Sequence, residues 1–180
     1  MPDAAPKTKF PKPVNLVLKE SVFQFSKNTK FVVKNNSQKE IATALISKFV
    51  QSAGWTPEIS AKIPKNNYIQ FKIDESLKNE AYKLEVTTKS ITISAKGNAG
   101  FIYGLESIRQ LLPTAIESKK VVSNVKWEIP SLTITDEPRF QWRGLMLDLS
   151  RHFFDKNYIK ETIDRLAMLK MNVLHLHLVD

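Results

Sequence analysis

The chain has no cysteine, which excludes disulfide staples and thiolate metal sites while leaving the redox compartment open. Histidine is nearly as scarce, with three in 180 residues. No apolar run approaches the roughly 18 residues that a membrane-spanning helix needs, so a soluble chain with no membrane span is expected. The opening residues, MPDAAPKTKFPKPVNL, lack the apolar stretch of a secretory leader. Pro2, Pro6, Pro11 and Pro13 make residues 1–15 an extended, poorly ordered lead.

Acidic side chains are outnumbered, 18 against 27 basic ones, for a net charge of +9. The whole excess falls in residues 1–130, and residues 131–180 are neutral. Nucleic-acid binding is the first thought such a charge raises. Yet 22 of the basic residues are lysines that alternate with apolar residues instead of clustering. Arginine, the better fork for phosphates and base edges, is rare. A lysine-coated solvated face is the preferred account, and no nucleic-acid partner is expected.

With 42% apolar residues the chain can bury a sizeable core in one or two domains. Residues 22–25 and 30–34 alternate as short strands. Ser37 and Glu40 read as a capping box, opening a helix whose apolar face is Ile41, Leu45, Ile46, Phe49 and Val50, with Gly54 as its stop. Residues 68–73, 81–86 and 90–94 keep the two-residue period of half-buried strands. A second helix over residues 99–112 carries Phe101, Ile102, Leu105, Ile108, Leu111 and Leu112, and Pro113 ends it. One more strand is predicted over residues 132–135, followed by turn chemistry at Asp136, Glu137 and Pro138. Residues 16–138 therefore read as an α+β domain, with a mostly antiparallel sheet and two helices.

Residues 139–180 read differently. Residues 142–149 and 173–179 are apolar runs of the kind that form strands buried on both faces. Between them Ile159, Ile163, Leu166, Ala167 and Leu169 recur at helical spacing behind Asp155, a plausible N-cap. Strand, helix and strand of this length make a βαβ crossover, with the strands parallel and about 4.8 Å apart. Such folds gather function at the carboxyl ends of their strands. Arg151 follows the first strand and Asp180 the second, so both are placed on one rim.

Two segments carry a resemblance to a known family. The block RGLMLDLSRHFFDKNYIKETIDRLAMLKMNVLHLHLVD resembles the opening of the catalytic barrel of glycoside hydrolase family 20, the β-N-acetylhexosaminidases. Upstream, GNAGFIYGLESIRQLLP resembles the second helix of the small domain that precedes that barrel. The resemblance implies that residues 139–180 are the first β-α-β of a (β/α)8 TIM barrel. A whole barrel takes about 250 residues, so the chain is expected to be the N-terminal part of such an enzyme.

The family removes terminal GlcNAc or GalNAc from glycans with retention, using the substrate's own 2-acetamido group, with no metal or other cofactor. A neighbouring Asp-Glu pair does this work on a later strand. No such pair stands at a matching place here. Asp74-Glu75 and Asp136-Glu137 read as solvated turn residues, so this stretch is expected to be inactive alone.

The resemblance assigns Arg151 to the hydroxyls of the sugar; a salt bridge to Asp148 or Asp180 is the structural alternative. It assigns Asp180 to tuning the proton affinity of the catalytic acid through a downstream histidine. Asp148 is placed toward the pocket floor and Arg143, within the first strand, as a structural anchor at the bottom of the barrel. The two are expected on opposite faces of the first strand. His152 is expected to fix the loop that presents Arg151. His175 and His177 share one strand face and read as rim or core side chains, not metal ligands. The rival reading is a non-catalytic module binding carbohydrate or a partner. The family also implies a periplasmic or extracellular parent. Unpaired strand edges and an uncovered helix face predict that residues 139–180 are sticky.

Overall fold

The computed structural model describes residues 11–179, which form two compact units, one ending at Glu137 and the other starting at Pro138. In chain order the first unit holds β1 (Asn15–Gln24), β2 (Lys30–Val32), α1 (Asn36–Ala53), β3 (Glu58–Ser60), β4 (Tyr68–Ile73), β5 (Tyr82–Val86), β6 (Ser90–Ala95), α2 (Asn98–Leu111), a 3-10 turn at Thr114–Glu117 and β7 (Glu128–Asp136). The second holds β8 (Gly144–Asp148), α3 (Lys156–Met168) and β9 (Val173–His177). No helix among the described residues is long and apolar enough to cross a membrane.

The seven strands of the first unit form one sheet in the order β1-β7-β5-β6-β4-β2-β3. It is mixed, not mostly antiparallel. The β1/β7, β5/β7 and β5/β6 pairs are antiparallel, whereas β4/β6, β2/β4 and β2/β3 are parallel. Alternation of apolar and polar residues reports a half-buried face and says nothing of direction. Direction follows from connections: α1 returns the chain to the starting end of the sheet, so β3 runs parallel to β2.

Register lines the apolar residues into rows on one face. Phe31, Ile69, Ile91, Val86 and Leu132 form one such row, and Phe71, Ile93, Leu84 and Ile134 another. Each of these side chains is at most 3% exposed, because α1 and α2 pack over them. Gly100 and Gly104 let α2 sit close, since a Cβ there would collide with the Ala81 carbonyl or the Ile93 side chain. Phe49 of α1 stacks on Trp55 at 4.8 Å and meets Phe25 and Trp127 at 5.1 and 5.7 Å.

Several sequence expectations shift. Asn35, not Ser37, caps α1: its side chain accepts from the Gln38 amide, and the Gln38 side chain in turn accepts from the Lys34 amide. This resembles a capping box two residues earlier, except that the returning bond comes from the Lys34 amide instead of that of the cap residue. Gly54 does end α1, in the left-handed region at φ 75°. Val50 and Ile102 are exposed, each displaced by about 100° from a neighbour, Phe49 or Phe101, that takes the core position.

Strand β1 reaches back to Asn15, at the edge of the expected lead, and a register shift between Leu18 and Val22 breaks its alternation. Residues 1–10 of that lead lie outside the described residues.

Asp136 is not a solvated turn residue. It ends β7 at 9% exposure, accepting from the Tyr82 hydroxyl at 3.0 Å and from the Val14 amide at 3.2 Å. Burial, with the Asp136 charge beside it, pushes the Tyr82 hydroxyl above the ordinary phenol range, which keeps it a donor.

A charged cluster ties α1, α2 and the 3-10 turn together. Arg109 grips Glu117 through Nε at 2.6 Å and Nη2 at 2.8 Å, Lys48 adds a bond at 2.7 Å, and Glu106 takes Nη1 at 3.1 Å. Burial alone would push the Glu117 carboxyl up, but Arg109 and Lys48 outweigh it and bring it from the usual 4.5 down to about 2. Burial pushes the neighbouring Glu106 carboxyl up.

Two outcomes follow from this packing. G100A drives a methyl group into the Ala81 carbonyl, and overpacking against backbone exceeds the helix-propensity gain, for a net loss of about 1–2 kcal/mol in a denaturant titration. Because the folded-state pKa of Glu117 is depressed, its stabilisation is present above pH 4.5 and is lost as pH falls toward about 2. Thermal melts of wild type and E117Q should therefore differ at neutral pH and converge across that window.

Candidate functional site at the carboxyl ends of two parallel strands

The second unit is built on β8 and β9, paired in parallel from Gly144 opposite Val173 to Asp148 opposite His177. At the amino ends a clamp closes the pair. The Arg143 amide donates to Asn172 Oδ1 at 2.9 Å, and the Asn172 amide donates back to the Arg143 carbonyl at the same distance. The Arg143 guanidinium bonds the Lys170 carbonyl through Nε at 2.9 Å and the Phe140 carbonyl through Nη1 at 2.7 Å. Asn172 Nδ2 reaches the Gln141 carbonyl at 2.7 Å. Lys170 turns the chain between α3 and β9 with a positive φ of 58°. Arg143 precedes β8 instead of lying within it, so it and Asp148 are separated by the length of a strand, about 3.3 Å per residue. The expected opposition of faces is in fact an opposition of ends.

At the carboxyl ends a second polar group gathers. Asp148 Oδ1 accepts from the amides of Ser150 at 3.1 Å and Arg151 at 3.0 Å. Its other oxygen, Oδ2, stands 3.4 Å from Arg151 Nη1. The His177 carbonyl accepts from the amides of Leu149 and Ser150 at 2.9 and 3.2 Å, fastening the turn to β9. The Arg151 amide, the Arg151 guanidinium and His177 together hold the Asp148 carboxyl below the usual carboxylate range, against the opposing pull of desolvation. The Arg151 side chain is 74% exposed and that of Asp148 24%.

Beyond this turn the chain enters α3 through an aromatic ladder. The His152 ring meets Phe154 edge-on at 4.9 Å, and Phe154 stacks on Tyr158 at 4.5 Å. Asp155 caps the helix by accepting the Tyr158 amide at 2.8 Å, as its position before the apolar period predicts.

Asp148, Arg151 and His177 therefore come together, while His152 joins the ladder beside them. His175 lies opposite Met146, on the face that also carries His177, and among the described residues no group of three or more metal-ligating side chains forms. Asp180 lies outside the described residues. The ladder and the Asn172 clamp went unread in the sequence; the signals were His-Phe-Phe followed four residues later by Tyr158, and an Asn directly before an apolar run.

The apolar character of this unit is less buried than the sequence implies. Leu147 is at 9% exposure, but Leu145, Met146, Leu176 and Leu178 are exposed, as is Ile163 on α3. Two strands and one helix cannot cover both faces of a sheet.

Comparison with known proteins gives this geometry its family. Residues 9–137 match the model of glycosyl hydrolase family 20, domain 2, and residues 140–180 match that of the glycosyl hydrolase family 20 catalytic domain. The chain belongs to glycosyl hydrolase family 20. It is 35% identical over 173 residues to a beta-hexosaminidase of Porphyromonas gingivalis, covering 94% of this chain and 22% of that protein. Over 105 residues, 58% of this chain and 20% of the relative, it is 40% identical to a beta-hexosaminidase of Akkermansia muciniphila.

Among solved structures, Streptomyces plicatus N-acetyl-beta-hexosaminidase in complex with Thio-NAglucal superposes with a TM-score of 0.88 at 30% identity, covering 96% of this chain and 34% of that one. A mutant of the Streptomyces plicatus enzyme is known in complex with its product GlcNAc, with a TM-score of 0.88 at 31% identity over 95% of this chain and 34% of that one. The chain thus spans about a fifth of the first curated relatives and a third of the first solved ones.

R143A removes the bonds to the Lys170 and Phe140 carbonyls, with an expected loss of about 1–3 kcal/mol in the unit. Hydrogen exchange should register it as faster exchange at the Asn172 and Val173 amides, both of which donate to the Arg143 carbonyl.

Proposed function

We propose that these residues are the N-terminal part of a β-N-acetylhexosaminidase, a retaining glycosidase that removes terminal GlcNAc or GalNAc from glycans with the 2-acetamido group of the substrate as nucleophile. On this reading β8, α3 and β9 open a (β/α)8 barrel, and the polar group at their carboxyl ends is one wall of its pocket. The observation that carries it is the Arg151 guanidinium, presented at the carboxyl end of β8 by an acidic partner in a chain of this family. A planar fork of donors suits vicinal hydroxyls of a sugar. The GlcNAc product bound by the Streptomyces plicatus mutant supports the substrate class.

Asp180 is assigned by family resemblance to raising the proton affinity of the catalytic acid, since a second carboxylate disfavours ionisation of its partner. The Asp-Glu pair of the reaction belongs to the part of the catalytic domain that these 180 residues do not span. No metal or cofactor enters this scheme.

The test is hydrolysis of a chromogenic N-acetyl-β-glucosaminide by the 180-residue chain beside the same chain extended to the full length of its parent gene. Turnover is expected only in the extended protein, with R151A lowering kcat/KM there by about 100-fold. Turnover by the 180 residues alone would overturn the placement of the catalytic pair, and an extended protein without turnover would favour a binding module.

A further inference from the structure

The two oxygens of Asp148 have different tasks. Oδ1 accepts the Ser150 and Arg151 amides and so shapes the turn after β8. Oδ2 faces Arg151 Nη1. The first contact is the side-chain-to-backbone turn that any Asp or Asn can make; the second needs a negative charge. A long exposed arginine otherwise keeps considerable rotamer entropy, which a ligand would have to overcome on binding.

We infer that Asp148 is a positioning residue, holding the Arg151 guanidinium in its ligand-binding orientation before the sugar arrives. The inference rests on the assignment of Arg151 to substrate hydroxyls. It follows from placement within three residues: one side chain fixes both the backbone and the head group of Arg151, so the fork is aimed by the turn that carries it. A guanidinium has five N–H donors, more than one carboxylate can take. His177, directly opposite Asp148 across the strand pair, adds a third polar group to the same end and lowers the Asp148 carboxyl further.

D148N separates the two tasks. It keeps an oxygen for the Ser150 and Arg151 amides, but sets an amide NH2 against the guanidinium, donor against donor. In the full-length parent, with N-acetylglucosamine binding by calorimetry and chromogenic turnover as readouts, D148N should raise Kd and KM by about 10-fold, with kcat changing less than KM. In an R151A background the same substitution should change Kd and KM by less than about twofold, because its effect passes through Arg151. Thermal melts confirm that each variant is folded, and if D148N fails to fold, D148S carries the same test, since its hydroxyl can still accept from the two amides.

A full D148N effect on top of R151A, or no effect of D148N alone, overturns the positioning role while leaving the sugar-binding role of Arg151 intact. R151A without effect on Kd or KM overturns the sugar-binding role itself.

Discussion

Everything in the first unit depends on covering one face of a seven-stranded sheet with two helices. The rows of Ile, Leu, Val and Phe that register assembles across β2, β4, β6, β5 and β7 are nearly inaccessible. Each such side chain contributes about 1.5–3 kcal/mol by leaving water. Small residues at Gly100 and Gly104 set how closely α2 approaches, and the Phe49 cluster fixes where α1 lies. By comparison an exposed ion pair such as Lys78 with Glu137 contributes about 0–1 kcal/mol. The lysine excess is therefore a feature of the surface and not of the fold.

Where charge does shape this unit, it is partly buried and networked. Arg109 bridges Glu106 and Glu117, and Lys48 on α1 completes the link to the 3-10 turn. The bidentate grip of Arg109 on Glu117 supplies geometric specificity that a lone surface pair lacks. The Tyr82, Ser107 and Asp136 group does a comparable service at the end of β7, with its donors and acceptors matched inside a nearly dry site. A buried carboxylate left without such partners would carry a large desolvation penalty.

The second unit divides its polar residues between the two ends of one strand pair. The amino ends are closed by Arg143 and Asn172, whose bonds run to backbone and so serve pairing and register. The carboxyl ends present Arg151 on a turn organised by Asp148. Parallel strands place all amino ends together and all carboxyl ends together, which is why the Arg143–Asn172 clamp and the Asp148–Arg151 group lie at opposite ends of the same β8.

The sequence by itself determined the helices, most strands, the family, and the pairing of Asp155 with α3, because each rests on local period, capping chemistry or a contiguous motif. It also placed Arg151 after a strand. Sheet direction, the cap at Asn35, the burial of Asp136 and the ion pair between Asp148 and Arg151 were decided only by the tertiary structure. Alternation records which face is buried but not which neighbour a strand pairs with. Asn35 and Ser37 are both good caps, and the choice depends on where β2 ends. Asp136 sits two residues before Pro138 in a string of turn formers, and the donors brought to it by Tyr82 from β5 and by the Val14 amide make its burial tolerable. The Arg151 ion pair was legible as an alternative, but the head group's partner depends on how the turn after β8 folds back on the Asp148 carboxylate.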